Sequence, residues 1–208
     1  SISEVVAEDV EYRNSEQAAL DRAYWTARLD PLPELHGRRG GADLGSAAQT
    51  HSARAILDAE VMEQLKQIAA DSGCTWADVL IGAYAGFVAR LHGTADVVLA
   101  LPVMVRTTRT ALTTPSMAVN VLPLRMRIDP AMPFSSLVAE VRAAVLDCVS
   151  HPDVPLERLV RELDLPRDAS RAPVYQAMFS YQDIRGRSPE WGGLRYAHVM
   201  LPHHTANQ

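Results

Sequence analysis

The chain has 208 residues, 48% hydrophobic and 22% charged, an ordinary composition for one domain or one large lobe of a two-lobed protein. Its net charge of −5, with 20 Lys and Arg scattered among 25 Asp and Glu, provides no basic face and argues against a nucleic-acid or anionic-membrane partner. No apolar run approaches the roughly 20 residues of a membrane-spanning helix, and Cys74 and Cys148 have neither metal-ligand nor disulfide spacing, which points to a reducing, cytoplasmic setting.

In chain order, SISEVVAEDVEYR is too acidic for a signal peptide. Asn14 to Gln17 imitates a capping box, and EQAALDRAYWTARL after it is predicted to be a helix with Leu20, Tyr24 and Ala27 on one side. Pro31, Pro33, Gly37, Gly40, Gly41 and Gly45 mark a loop of about twenty residues, long enough to divide an entry helix and linker (1–50) from a main body (51–208). HSARAIL (51–57) is expected to be a short strand. Asp58 then caps a helix carrying Val61, Leu65, Ile68 and Ala69, closed by Gly73. Thr75 and Asp78 form a second capping box, opening a helix that is apolar nearly all round from Val79 to Leu91, as a central buried helix is. The run Asp96 to Leu101 reads as an interior strand covered on both faces.

A polar loop from Arg106 to Ser116 leads into the strand AVNVLPLRMRI, where Leu122, Leu124, Met126 and Ile128 alternate with Pro123, Arg125 and Arg127. Pro123 donates no ladder hydrogen bond, so this strand is expected at a sheet edge or with a bulge. Ser135 begins an amphipathic helix with Val138, Val141, Val145 and Cys148, and Pro155 opens a short one with Leu156, Leu159, Val160 and Leu163. VYQAMFSY (174–181) is predicted as a strand, and LRYAHVML, after Trp191-Gly192-Gly193, as another. The irregular alternation predicts an α/β or α+β fold, a mixed sheet flanked by helices. No Gly-rich phosphate loop follows any strand.

For chemistry, His36, His51, His92, His151 and His198 stand alone, without a His or Glu at i, i+4, so no metal is expected. His203-His204 reads as a loop doublet, and no G-x-S-x-G elbow is present. Three segments rise above this background. Thr114 to Arg125 sets Asn120 in an otherwise apolar strand, where a buried amide must find partners, either by tying down the adjacent loop or by facing a ligand. His151 to Glu157, HPDVPLE, is a stop-and-start signal before a helix. Arg167 to Pro173, RDASRAP, alternates charge in a turn, as a salt-bridged loop or a docking surface for an anionic partner does.

In this order the three segments resemble the last signature motifs of the condensation domains of nonribosomal peptide synthetases. SMAVNVLPLR is similar to the family's (I/V)GxFVNTLxxR, HPDVPLE to HQDxPFE, and RDASRAPV to RDxSRNPL. Leu101-Pro102-Val103 and Arg106 resemble GxPVxxR, and the TPSMAVNVLPLR wording resembles siderophore-type synthetases. The chain departs from the pattern at Met117-Ala118-Val119, which replace Gly-x-Phe, and at Leu156, which replaces Phe. The resemblance spans about Glu11 to Leu201.

The resemblance implies the C-terminal lobe of a chloramphenicol-acetyltransferase-like fold, with the HHxxxDG motif in an N-terminal lobe outside this chain and no catalytic residue or metal within it. HHTANQ does not supply that motif, since Gln208 stands where its Asp belongs. It implies an amide-forming acyltransferase whose partners are that other lobe and the donor and acceptor carrier proteins. Substrates ride on the carriers' phosphopantetheine arms, and no cofactor is bound. By motif match, Asn120, Ser116 and Met117 would line the substrate tunnel, and Pro123, Arg125, Asp153, Pro155 and Asp168 would hold its wall in shape. Arg167 and Arg171 would meet an acidic carrier helix. Asn120→Ala is then expected to slow amide formation with little loss of fold. Two further readings use the same fold: a non-catalytic module that recruits a carrier protein or tailoring enzyme, and an epimerisation or cyclisation relative.

Overall fold

The computed structural model describes residues 1–33, 53–105, 108–163, 174–175 and 177–182. Along the chain these form helices α1 (Ile2–Arg13), α2 (Glu16–Leu29), α3 (Ala59–Asp71) and α4 (Trp76–His92), then strand β1 (Asp96–Met104) and helix α5 (Arg109–Thr113). Strand β2 (Val119–Arg127), helices α6 (Phe134–Val149) and α7 (Leu156–Glu162) and strand β3 (Ala177–Met178) follow. The described sheet has the order β2-β1-β3, antiparallel between β1 and β2 and parallel between β1 and β3, the mixed layer expected from the sequence.

Local chemistry sets the helix limits. Asp58 accepts a hydrogen bond from the Val61 N–H at 2.9 Å to start α3. At the start of α4 the Thr75 N–H donates to Asp78 at 2.8 Å and the Asp78 N–H to Thr75 Oγ1 at 3.2 Å, the capping box read from the sequence. Gly93 closes α4 at a φ of 65°, a left-handed conformation that a side chain would strain.

The β1–β2 register runs without a break from Asp96 opposite Arg127 to Met104 opposite Val119. The Ile128 N–H donates to Ala95 and the Val105 N–H to Ala118, so even-numbered residues of β2 bond to β1 and odd-numbered ones turn their backbone groups outward. Pro123 is odd-numbered. Its missing N–H therefore falls on the outer edge, and a fully buried proline costs the ladder nothing. Among the described strands β2 is an edge, as Pro123 predicted, and it needs no bulge.

One core joins Leu99, Leu122 and Leu124 of the sheet to Trp25 and Leu29 of α2, Ile81 and Ala85 of α4, Val141 of α6 and Leu159 of α7. Helix α6 packs on both α4 and β2, and α3 lies against α4.

Several expectations are corrected. Helix α1 was not anticipated, and it buries no residue of its own. Ser15, not Asn14, caps α2, and its inner stripe is Ala18, Asp21, Trp25 and Leu29, while Leu20 and Ala27 face solvent. A carboxylate in the middle of that stripe broke the apolar pattern. Residues 53–57 are exposed and form no strand, because no described strand pairs with their backbone. On α3 only Ala69 is buried. Helix α4 is not enclosed all round: Phe87 is 58% and Leu91 62% exposed, and small residues, Ala85 and Ala89, make much of its close approach. The polar loop before β2 contains α5, started by Thr108, whose Oγ1 accepts from the Ala111 N–H at 3.0 Å. Helix α6 begins at Phe134, one residue before Ser135. Of the strand expected over 174–181, the described residues form β3 at Ala177 and Met178, followed by a Phe179 N–H bond to the Ala100 carbonyl. The Gly-rich linker (34–52), the 164–173 segment and everything from 183 onward, LRYAHVML and His203-His204 included, lie outside the described residues.

Trp25 is fully buried and donates its indole N–H to the His151 carbonyl at 2.9 Å. Trp25→Ala is expected to lower stability by about 3–5 kcal/mol in urea unfolding. An unchanged midpoint would show that α2 is not part of this core.

Candidate functional site

The register brings the end of β1, Val103 and Met104, opposite the start of β2, Asn120 and Val119. At this end Asn120 uses its whole amide on the protein. Its Nδ2 donates to the carbonyls of Pro152 and Val154, each at 2.7 Å, and its Oδ1 accepts the Val121 N–H at 2.9 Å. Val121 is odd-numbered, so this N–H belongs to the outer edge of the strand, and Asn120 covers it. Of the alternatives left open by the sequence, the amide ties down a loop. The first and second motif segments are thereby joined by one side chain.

The other side of the 151–155 loop is held by α2. His151 Nδ1 lies 2.7 Å from Asp21 Oδ1, its ring stacks on Tyr24 at 4.0 Å, and its carbonyl takes the Trp25 indole N–H. Asp21 is 2% exposed and also accepts from the Tyr12 hydroxyl at 2.8 Å and the Gln17 amide at 2.7 Å. Burial pushes the Asp21 carboxyl upward, but the hydrogen bonds from His151, Tyr12 and Gln17 outweigh it and hold the group below its ordinary value. Burial and the Asp21 charge raise the Tyr12 hydroxyl. Asp153, half-buried nearby, is pushed up by burial and by the negative charges of Asp21 and Asp9. Tyr24 donates to Asp147 at 2.6 Å, and burial pushes the adjacent Cys148 thiol up to about 11, so it is no nucleophile at neutral pH. Pro155 occupies the cap position of α7 with φ at −63°.

Arg125 holds the far end of β2. Its guanidinium meets Asp96 at 3.0 and 2.6 Å and also donates to the Arg28 carbonyl at 3.1 Å, while Arg28 donates to the outward carbonyl of Arg125 at 3.1 Å. The bond to Asp96 raises the Arg125 guanidinium above its usual value. Arg125 thus joins β2 to β1 through Asp96 and to α2 through Arg28.

Ser116 and Met117, singled out by motif, lie just before β2. Ser116 donates to the Thr114 carbonyl at 3.3 Å, and Met117 is 96% exposed. Exposed Met104, Val119 and Leu112 continue an apolar surface at the same end. Glu8 of α1 accepts from Thr108 at 2.7 Å, which ties α1 to α5 beside it. A groove of about 710 Å³ runs between the end of β1, α4 and α6, with Trp76 and Tyr181 in edge contact at 4.8 Å. Arg167, Asp168 and Arg171 lie outside the described residues.

Sequence reasoning missed Asp21, Tyr12 and Asp96. One signal was available for Asp21: Ala18, Trp25 and Leu29 share its face at helical spacing, so a charge at that position needs buried partners. Among the described residues no cluster of three or more His, Cys, Asp or Glu forms a metal site, and no helix is long and apolar enough to cross a membrane.

The family model described as "Condensation domain" matches residues 3–193. The chain is 31% identical over 201 residues to a plipastatin synthase subunit of Bacillus subtilis (strain 168), covering 94% of this chain and 8% of that protein. It is 35% identical over 138 residues to surfactin synthase subunit 1 of the same organism, covering 66% and 4%. Both relatives are named for plipastatin or surfactin rather than for a siderophore. Among solved structures it is similar to the first condensation domain of the calcium-dependent antibiotic synthetase in complex with substrate analogue 2a. That likeness has a TM-score of 0.74 and 31% identity over 89% of this chain and 40% of the other. The chain thus spans less than half of that solved domain and under a tenth of either synthase.

Two outcomes follow from the geometry. Asn120→Ala leaves the Pro152 and Val154 carbonyls without their donor and is expected to cost about 1–3 kcal/mol, against the sequence expectation of little loss of fold. Urea unfolding measures it, and an unchanged midpoint would mean that the clamp is not formed. Because the folded carboxyl of Asp21 lies below its ordinary value, its stabilisation is complete above the unfolded pKa and is lost as pH falls through the folded one. Asp21→Asn should therefore lower stability at neutral pH and flatten the decline below about pH 4, read from melting temperature against pH.

Proposed function

We propose, given that this chain belongs to the condensation domain family, that it is the C-terminal lobe of a nonribosomal peptide synthetase condensation domain. In the complete domain it takes part in forming an amide between a carrier-bound acyl or peptidyl thioester and a carrier-bound aminoacyl amine. One observation carries the reading: two of the family's motif segments are clamped together by Asn120, beside an open apolar surface at the end of the β1–β2 ladder. The likeness to a domain solved with a substrate analogue supports it.

In this reading α1, α2 and the linker (1–50) lead into the lobe (51–208), with α2 packed against its core. Ser116, Met117 and the strand start at Asn120 form one wall of the substrate tunnel. Asn120, Pro123, Arg125, Asp153 and Pro155 set its shape. Arg167 and Arg171 dock an acidic carrier helix, and Asp168 helps to hold the tunnel wall in shape, by motif resemblance. The acceptor nitrogen attacks the thioester carbonyl, the C–N bond forms, the C–S bond breaks, and the proton lost by the amine leaves on the thiol. Aminolysis of a thioester is downhill, so the protein's main contribution is to hold two tethered ends in line. This lobe supplies walls and docking surface. The acid–base histidine belongs to the other lobe, and the phosphopantetheine arms belong to the carriers.

Intact-protein mass spectrometry of the two-lobed domain with loaded donor and acceptor carriers tests the reading. The donor acyl group is expected to move onto the acceptor. Carrier binding without transfer would instead establish a recruitment module. Met117→Glu, at a side chain with almost no protein contacts, is expected to slow single-turnover transfer by about tenfold, equivalent to 1.4 kcal/mol, at an unchanged melting temperature. An unaltered rate would remove Met117 from the wall.

A further inference from the structure

We infer that Asp21 and His151 are positioning residues, which set the geometry of the substrate-facing wall from the opposite side of the 151–155 loop; this rests on the reading of residues 116–120 as that wall. The connection is continuous in space. Tyr12 and Gln17 fix the Asp21 carboxylate, Asp21 Oδ1 meets His151 Nδ1 at 2.7 Å, and the next carbonyls, those of Pro152 and Val154, receive both donors of Asn120. Asn120 in turn holds the Val121 N–H at the start of β2, next to Val119 and Met117.

Three features argue that the connection transmits position. First, both ends of His151 are fixed, its ring by Asp21 and Tyr24 and its carbonyl by Trp25, so the loop has a rigid origin. Second, Pro152 and Pro155 restrict the φ angles within the loop, and Val154 between them is buried, which leaves little slack before the Asn120 acceptors. Third, the α2 stripe buries a carboxylate where an apolar residue would pack at lower desolvation cost. A charge retained there under three donors specifies a direction, which an apolar contact does not. A shift of His151 therefore displaces the acceptors of Asn120, and with them the strand start that carries the wall.

The test uses the complete two-lobed domain with loaded carriers, well below the melting temperature of every variant. Asp21→Asn and His151→Leu are expected to lower the single-turnover rate constant about ten- to hundredfold while the apparent KM for each carrier stays put. His151→Asn, whose side-chain nitrogen stands near the place of Nδ1, is expected to restore most of that rate. In an Asn120→Ala background, Asp21→Asn should lower the melting temperature but no longer the rate. Rate effects that add in that background, or a lowered melting temperature with an unaltered rate when Asp21→Asn stands alone, would overturn the inference. Amide hydrogen exchange gives a readout that needs no reaction: Asp21→Asn is expected to speed exchange at Val121 at least about tenfold beyond any change at Leu99, whose exchange follows global unfolding. Unaltered Val121 protection overturns the coupling even in an active domain. A wild-type domain that forms no amide overturns the functional reading, and with it the role in the reaction, while faster Val121 exchange would still mark the mechanical coupling as correct.

Discussion

Desolvation alone would raise the pKa of Asp21, since a carboxylate buried this deeply loses most of its hydration. Tyr12, Gln17 and His151 replace the lost water with three hydrogen bonds, and together they keep the group charged. Each donor comes from a different stretch of chain: Tyr12 from α1, Gln17 from the first turn of α2, and His151 from the loop before α7. Satisfying one buried charge therefore fixes how α1 folds back on α2 and where the HPDVP loop starts. The Asn120 clamp follows from it, because its two acceptors are carbonyls of that same loop.

The outer edge of β2 shows the same economy. An edge strand exposes backbone donors and acceptors that invite wrong pairing. Here Asn120 covers the Val121 N–H, Pro123 has no N–H to expose, and Arg28 covers the Arg125 carbonyl. Arg125 returns a hydrogen bond to the Arg28 carbonyl and pairs with Asp96 at the start of β1. The motif residues of this strand are thus its edge protection as well as its link to α2 and the loop. A single substitution at Asn120 opens both.

Features decided by local chemistry could be read directly from the sequence. The Thr75–Asp78 box, the Asp58 cap, the glycine stop at Gly93, the doubly covered β1 and the alternation along β2 all depend on neighbours within a few residues. Features decided by distant partners could not. The α2 stripe looked misplaced because Asp21 is made tolerable by His151, 130 residues away in sequence. Residues 53–57 have strand-like composition but no partner among the described strands, and the apolar girdle of α4 did not tell which face would be covered. The motif resemblance located Asn120 and the HPDVPLE segment, yet only the folded chain joins them. Whether an amide in an apolar strand faces a ligand or a loop depends on a carbonyl 32 and another 34 residues away.

The site has a consistent division of labour. Its exposed surface at Met117, Val119, Met104 and Leu112 is apolar and makes no directional bond, so it cannot fix its own position. Direction comes from underneath, from Asn120, the 151–155 loop and Asp21, none of which needs to touch a substrate. For a downhill reaction between two tethered ends, alignment is the scarce quantity, and a displacement of about 1 Å is enough to cost a hundredfold in rate. In the proposed function a soft wall over a rigid polar frame meets that demand, because such a wall tolerates the side chains that pass while the buried charge keeps the frame from drifting.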